Sequence, residues 1–231
     1  SSRAEPAPSR RMSSSARTPR EKVEHGGHET LVTGARSTPR LVLGHGAGAP
    51  MDSDFMNEIA ERISEAGTQV IRFEFEYMAK RRQDGQRRGP DRAPKLLARF
   101  RELIAALGPA SELVIGGKSM GGRIASMIAD EVGAAGVLCL GYPFHPPGKP
   151  ERLRTGHLEE LHTPALIVQG TRDRLGSFEE VSSYALSPRI RLAWMEDGDH
   201  SFKPRKKSGR TVEQNLDAAA EAALSFIRRC G

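Results

Sequence analysis

Seven short runs of apolar, often β-branched residues recur along this chain, and segments of helical period separate most of them. The runs are Thr30-Leu31-Val32-Thr33, Arg40-Leu41-Val42-Leu43, Gln69 to Phe73, Leu113-Val114-Ile115, Gly136 to Leu140, Ala165 to Val168 and Ile190 to Trp194. Helices are expected over about 52–66, 94–107, 120–132, 176–185 and 211–229. Strands alternating with helices argue for an α/β fold, a mostly parallel sheet of about seven strands with helices on both faces. Only the first two runs are joined too closely for a helix, so that pair is expected to be antiparallel.

Open parallel sheets bind ligands beyond the carboxyl ends of their strands. Four of those ends carry chemistry here. After Leu41-Leu43 comes Gly44-His45-Gly46-Ala47-Gly48-Ala49, and after Leu113-Ile115 comes Gly116-Gly117-Lys118-Ser119-Met120-Gly121-Gly122. Later strands run into Gln169-Gly170-Thr171-Arg172-Asp173 and Glu196-Asp197-Gly198-Asp199-His200-Ser201-Phe202. The second piece reads G-x-S-x-G between a strand and a helix. A serine hydroxyl needs a base to become nucleophilic, and a tight strand-to-helix turn exposes it to one. Gly117 and Gly121 flank Ser119 where side chains would collide with the neighbouring elements.

The ordered set H-G-x-G, G-x-S-x-G, G-x-x-D and G-D-H resembles the α/β-hydrolases over about residues 29–229. The chain is similar to their small lidless branch, which holds dienelactone-hydrolase-like proteins and the testis-expressed and chromatin-complex hydrolase-like proteins. The resemblance implies a serine hydrolase acting on an ester or thioester. Ser119 would attack the acyl carbonyl, His200 would take its proton, and Asp173 would hold the imidazole in the right tautomer. The backbone N–H groups of Met120 and Ala47 are the candidate oxyanion donors. Asp197 and Asp199 are rivals to Asp173 for the acid, and His45 is a rival to His200, although a histidine opening such a loop more often braces it. A peptidase with the same triad, or an interaction module on this fold, are the alternatives.

Charge adds a second layer. The chain carries a net +6, but residues 1–28, 80–92 and 203–210 together carry +12, leaving the remainder at −6. Residues 1–28 have hardly an apolar side chain and are expected to form a disordered basic tail, with the hydrolase domain spanning 29–231. The other two stretches are expected as basic loops on the Ser119 edge of the sheet. That makes Arg81, Arg82 and Lys203, with Lys118 of the elbow, candidate contacts for an anionic substrate. Aromatic residues are only 5% of the chain and no binding motif is present, so no nucleic acid partner is expected.

Cys139 and Cys230 are too few and badly placed for a disulfide framework or a structural zinc site, and His25 and His28 sit in a flexible-looking stretch; no metal and no cofactor are assigned. No run approaches the roughly 20 apolar residues needed to cross a bilayer, and the opening residues lack an export signal, so the expectation is a cytoplasmic protein. Only about 20 residues, Tyr142 to Thr163, join the strand ending at Leu140 to the one beginning near Ala165, and their Pro- and Gly-rich part, Tyr142 to Gly148, argues against a bulky helical cap, which points to an open site for a small acyl compound.

Overall fold

The computed structural model describes residues 18–231, and among these eight strands form a single sheet. In chain order the elements are β1 (Arg20–His25), β2 (His28–Thr33), β3 (Arg40–Gly44), α1 (Asp54–Glu65), β4 (Val70–Phe73), α2 (Glu76–Asp84), α3 (Ala93–Leu107), β5 (Leu113–Lys118), α4 (Met120–Val132), β6 (Gly136–Leu140), α5 (Gly156–Glu159), β7 (Ala165–Gly170), α6 (Phe178–Val181), β8 (Ile190–Met195) and α7 (Val212–Arg229). Strand order is β1-β2-β4-β3-β5-β6-β7-β8. From β4 to β8 every neighbouring pair is parallel.

Alternation within each strand sorts its side chains between two helical layers. Val42, Leu113, Ile115 and Ile167 pack with α3 and α4 through Phe100, Leu103, Ile124 and Ile128. Leu41, Leu43, Val114 and Val168 face the opposite way, onto α1 and α7 through Ile59, Ile63, Ala223 and Ile227. All of these residues are buried, which explains why the central strands read as continuous apolar runs. The connection from β6 to β7 holds only the single turn of α5, so the fold has no separate cap domain. No helix of the described residues is long and apolar enough to cross a membrane.

Four expectations need correction. The basic tail was expected to reach residue 28, yet β1 pairs with β2 from Arg20 to His25. β1 escapes apolar pattern-reading because it is an edge strand with mostly exposed side chains, held by backbone pairing, and its charges discourage further strand addition. The rest of that expected tail, residues 1–17, lies outside the described residues. The antiparallel partners of β2 are β1 and β4, and β3 is not its neighbour, because β4 inserts between them.

The stretch 80–92 is not wholly a loop, since Lys80, Arg81 and Arg82 lie on α2, which anchors itself with Tyr77 and Met78. Its weak apolar content hid the helix. The helix expected over 176–185 shrinks to Phe178–Val181, started by a capping box in which Ser177 and Glu180 exchange side-chain and backbone hydrogen bonds.

Candidate active site

Ser119 sits between the end of β5 and the first residue of α4, with φ 49° and ψ −112°. That left-handed conformation is rare for a residue with a side chain, and the surroundings impose it. Its N–H is bound by the Leu140 carbonyl of β6 at 2.9 Å, and its own carbonyl accepts the Arg123 N–H at 3.0 Å. The helix approaches the sheet closely enough that a Cβ on Gly117 would strike the Gly44 carbonyl oxygen and the Gly121 backbone, and one on Gly121 would strike Gly44 and His45. Small residues at these two positions are therefore a packing requirement of the turn.

The loop after β8 brings His200 over the serine. Its Nε2 lies 2.8 Å from Ser119 Oγ, and its Nδ1 lies 2.7 Å from Asp173 Oδ2. Asp173 is 1% exposed, and its other oxygen accepts the Leu175 N–H at 2.8 Å. A buried carboxylate so placed favours the Nδ1–H tautomer of His200, which leaves Nε2 free to accept the serine proton. The rival acids are engaged elsewhere. Asp197 pairs with Arg205 at 2.6 Å and Arg172 at 3.2 Å, and Asp199 accepts the N–H groups of Ser201 and Lys203.

His45 is fully buried and braces its own loop. Its Nδ1 donates to the Gly46 carbonyl at 2.6 Å and its Nε2 accepts the Phe75 N–H at 3.1 Å, which is the neutral ring. Burial pushes its pKa down, in keeping with that tautomer. Ala47, in the same loop, has its carbonyl held by the Tyr77 hydroxyl at 2.8 Å. Met120 opens α4, where an N–H has no carbonyl one turn back, so its donor is available to an incoming oxygen. Ala47, Ser119 and Met120 share the wall of one cavity of about 300 Å³, completed on its apolar side by Leu96, Pro143 and Leu175.

The four expected substrate contacts do not line that cavity. Arg82 is occupied by Glu74 and Asp52, at 2.8 and 2.7 Å. Arg81 reaches the Gly48 carbonyl at 3.3 Å, and Lys203 is exposed on the loop beyond His200. Lys118 is engaged by the histidine loop: its Nζ donates to the His200 carbonyl at 2.5 Å and lies 5.2 Å from the centre of the Phe55 ring. Burial pushes the Lys118 ammonium down to about 8.

Three residues escaped the sequence reading. Gln169 is fully buried, accepts the Tyr142 N–H at 2.8 Å and donates to Asp173 Oδ2 at 3.1 Å, so it orients the acid. Its position four residues before Asp173 offered no signal. Arg123 and Arg154 line the cavity. The place of Arg123 one helical turn after Ser119 was a usable signal, and nothing local marks Arg154.

The family profile described as "Alpha/beta hydrolase domain" matches residues 37–228. Among solved structures, the chain is similar to the dienelactone hydrolase from Anabaena variabilis, with 19% identity and TM-score 0.68 over 93% of this chain and 99% of that one. It is similar to an alpha-beta serine hydrolase homologue from Coxiella burnetii, with 19% identity and TM-score 0.60 over 92% and 99% of the two chains. Est1E from Butyrivibrio proteoclasticus aligns with 12% identity and TM-score 0.65, over 90% of this chain and 99% of that one.

Proposed function

Since the chain belongs to the α/β-hydrolase family, we propose that it is a serine hydrolase that cleaves an ester or thioester of a small acyl compound in the cytoplasm. The observation that supports this best is the continuous hydrogen-bonded line from Asp173 through His200 to Ser119, with the serine on the wall of a cavity. In this reading Ser119 Oγ bonds to the acyl carbon while His200 Nε2 takes its proton. The carbonyl oxygen becomes an oxyanion beside the N–H groups of Met120 and Ala47, where each donor is worth roughly 3 to 4 kcal/mol of barrier. Collapse of that intermediate breaks the bond to the leaving alcohol or thiol, which departs with the proton from His200. Water then attacks the acyl-serine, gives a proton to His200, and the carboxylic acid leaves as Ser119 recovers its hydrogen.

The test is direct. The protein should be labelled by a fluorophosphonate and should turn over p-nitrophenyl butyrate, and Ser119→Ala should lose both. Labelling that persists in the variant would place the nucleophile elsewhere. A folded protein inert to both probes would instead fit an interaction module built on the same fold.

A further inference from the structure

The cavity beside Ser119 is apolar over much of its wall, yet two arginines line it. Arg123 comes from α4, one helical turn beyond the serine, with its N–H bound to the Ser119 carbonyl at 3.0 Å. Arg154 comes from the connection between β6 and β7, where its N–H is held by the Phe144 carbonyl at 2.8 Å and its carbonyl by the Tyr142 hydroxyl at 2.7 Å. Both backbones are thus pinned, and both side chains are directed by elements that also build the site.

Among the described residues, neither arginine has an ion-pair partner. Among the described residues, Arg123 Nε is buried without a hydrogen-bond partner. Burial, and then the charge of Arg123, push the pKa of Arg154 down, so the second guanidinium feels the first. The one carboxylate on the cavity wall, Asp91, is already engaged by the Tyr77 N–H at 3.1 Å and faces Lys95 at 3.8 Å. Arg82, Arg88 and Arg205, by contrast, each have an acid partner. Two partly buried, like-charged forks with no acid paired to them are costly unless something anionic joins them.

We propose that Arg123 and Arg154 form a carboxylate-binding subsite, so that the preferred acyl group is the half-ester or half-thioester of a short dicarboxylic acid. The acyl carbonyl sits at Ser119 while the distal carboxylate, a few methylenes away, takes the guanidiniums. This rests on the hydrolase reading for the position of the scissile bond. It replaces a diffuse basic rim with two specific residues.

Phenyl hydrogen adipate and phenyl hexanoate, which differ chiefly in the terminal carboxylate, separate the possibilities. Wild-type protein should favour the charged ester in kcat/KM by roughly tenfold or more, as expected for charge-assisted hydrogen bonds. In Arg123→Gln and in Arg154→Gln that ratio should fall toward unity, and Arg154→Lys should recover part of it. Calorimetry of the Ser119→Ala protein with phenyl hydrogen adipate reads the same site without turnover, and binding should weaken when Arg123→Gln is added. Equal kcat/KM for the two esters overturns the proposal, as does a preference that survives both Gln variants or one that vanishes instead in Arg174→Gln, on the far side of His200. If neither ester is cleaved and no fluorophosphonate label is taken up, the hydrolase reading fails. The calorimetric result then decides the subsite by itself, with absence of binding overturning it.

Discussion

The ammonium of Lys118 lies 2.5 Å from the carbonyl oxygen of His200, so the residue before the candidate nucleophile holds the backbone of the candidate base. The contact spans two strand ends, since Lys118 closes β5 and His200 follows β8. It ties the histidine loop to the elbow independently of the side-chain line through Asp173. The arrangement places a cation in a partly buried setting, with the Phe55 ring beneath it.

That burial has a pH signature. Lys118 is pushed down to about 8, whereas an unfolded chain holds the lysine proton to about 10.4. Between these values the unfolded state binds more protons, so this residue's contribution makes the folded state more stable as pH rises, and the penalty is fully present below the folded value. Melting curves of wild type and Lys118→Met from about pH 7 to about pH 10 should therefore show wild type gaining relative to the variant as pH increases. A constant difference would mean that the lysine is not held charged against burial. The variant should also lose kcat more than it raises KM, because the loop it loosens carries the base.

Gln169 offers a second test, on the acid side. It connects Tyr142 of the β6 end, Asp173 and the Gly176 carbonyl through one buried amide. Gln169→Leu leaves the Tyr142 N–H and the Gly176 carbonyl unpaired, removes one of the donors to Asp173, and should cost roughly 1 to 3 kcal/mol for each buried group left without a partner, read by denaturant unfolding. Esterase kcat should fall with it. A variant with lower stability and unchanged kcat would show that the amide supports the core without orienting Asp173.

The elbow stores strain that can be measured separately from activity. At φ 49° a serine or alanine is disfavoured, and a glycine is not. Ser119→Gly and Ser119→Ala should both be inactive, yet the glycine variant should melt higher, with a gap on the order of 1 to 3 kcal/mol. If the alanine variant were the more stable, the turn would not be strained at this residue.

Much of the fold was legible because its signals are local. Apolar runs in β3 to β7 mark strands buried on both faces, and the G-x-S-x-G pattern marks a turn whose packing excludes side chains at Gly117 and Gly121. The order of Ser119, Asp173 and His200 along the chain already followed a known sequence of strand ends. The losses have physical causes. β1 is recognised only by what pairs with it, α2 buries too little to show a period, and charge counting treated Arg82 as free when Glu74 and Asp52 neutralise it.

Strand and helix identities, and the candidate chemistry of the serine turn, follow from spacing between neighbours in the chain, and spacing survives in the sequence alone. Which charges are cancelled and which converge depends on residues far apart in the chain meeting in space. Arg123 and Arg154 share a cavity wall only because α4 and the β6–β7 connection close over the same strand ends, and Lys118 meets His200 only because β5 and β8 end on the same edge of the sheet. Electrostatic partnership falls off with distance in three dimensions, so the folded structure decided it.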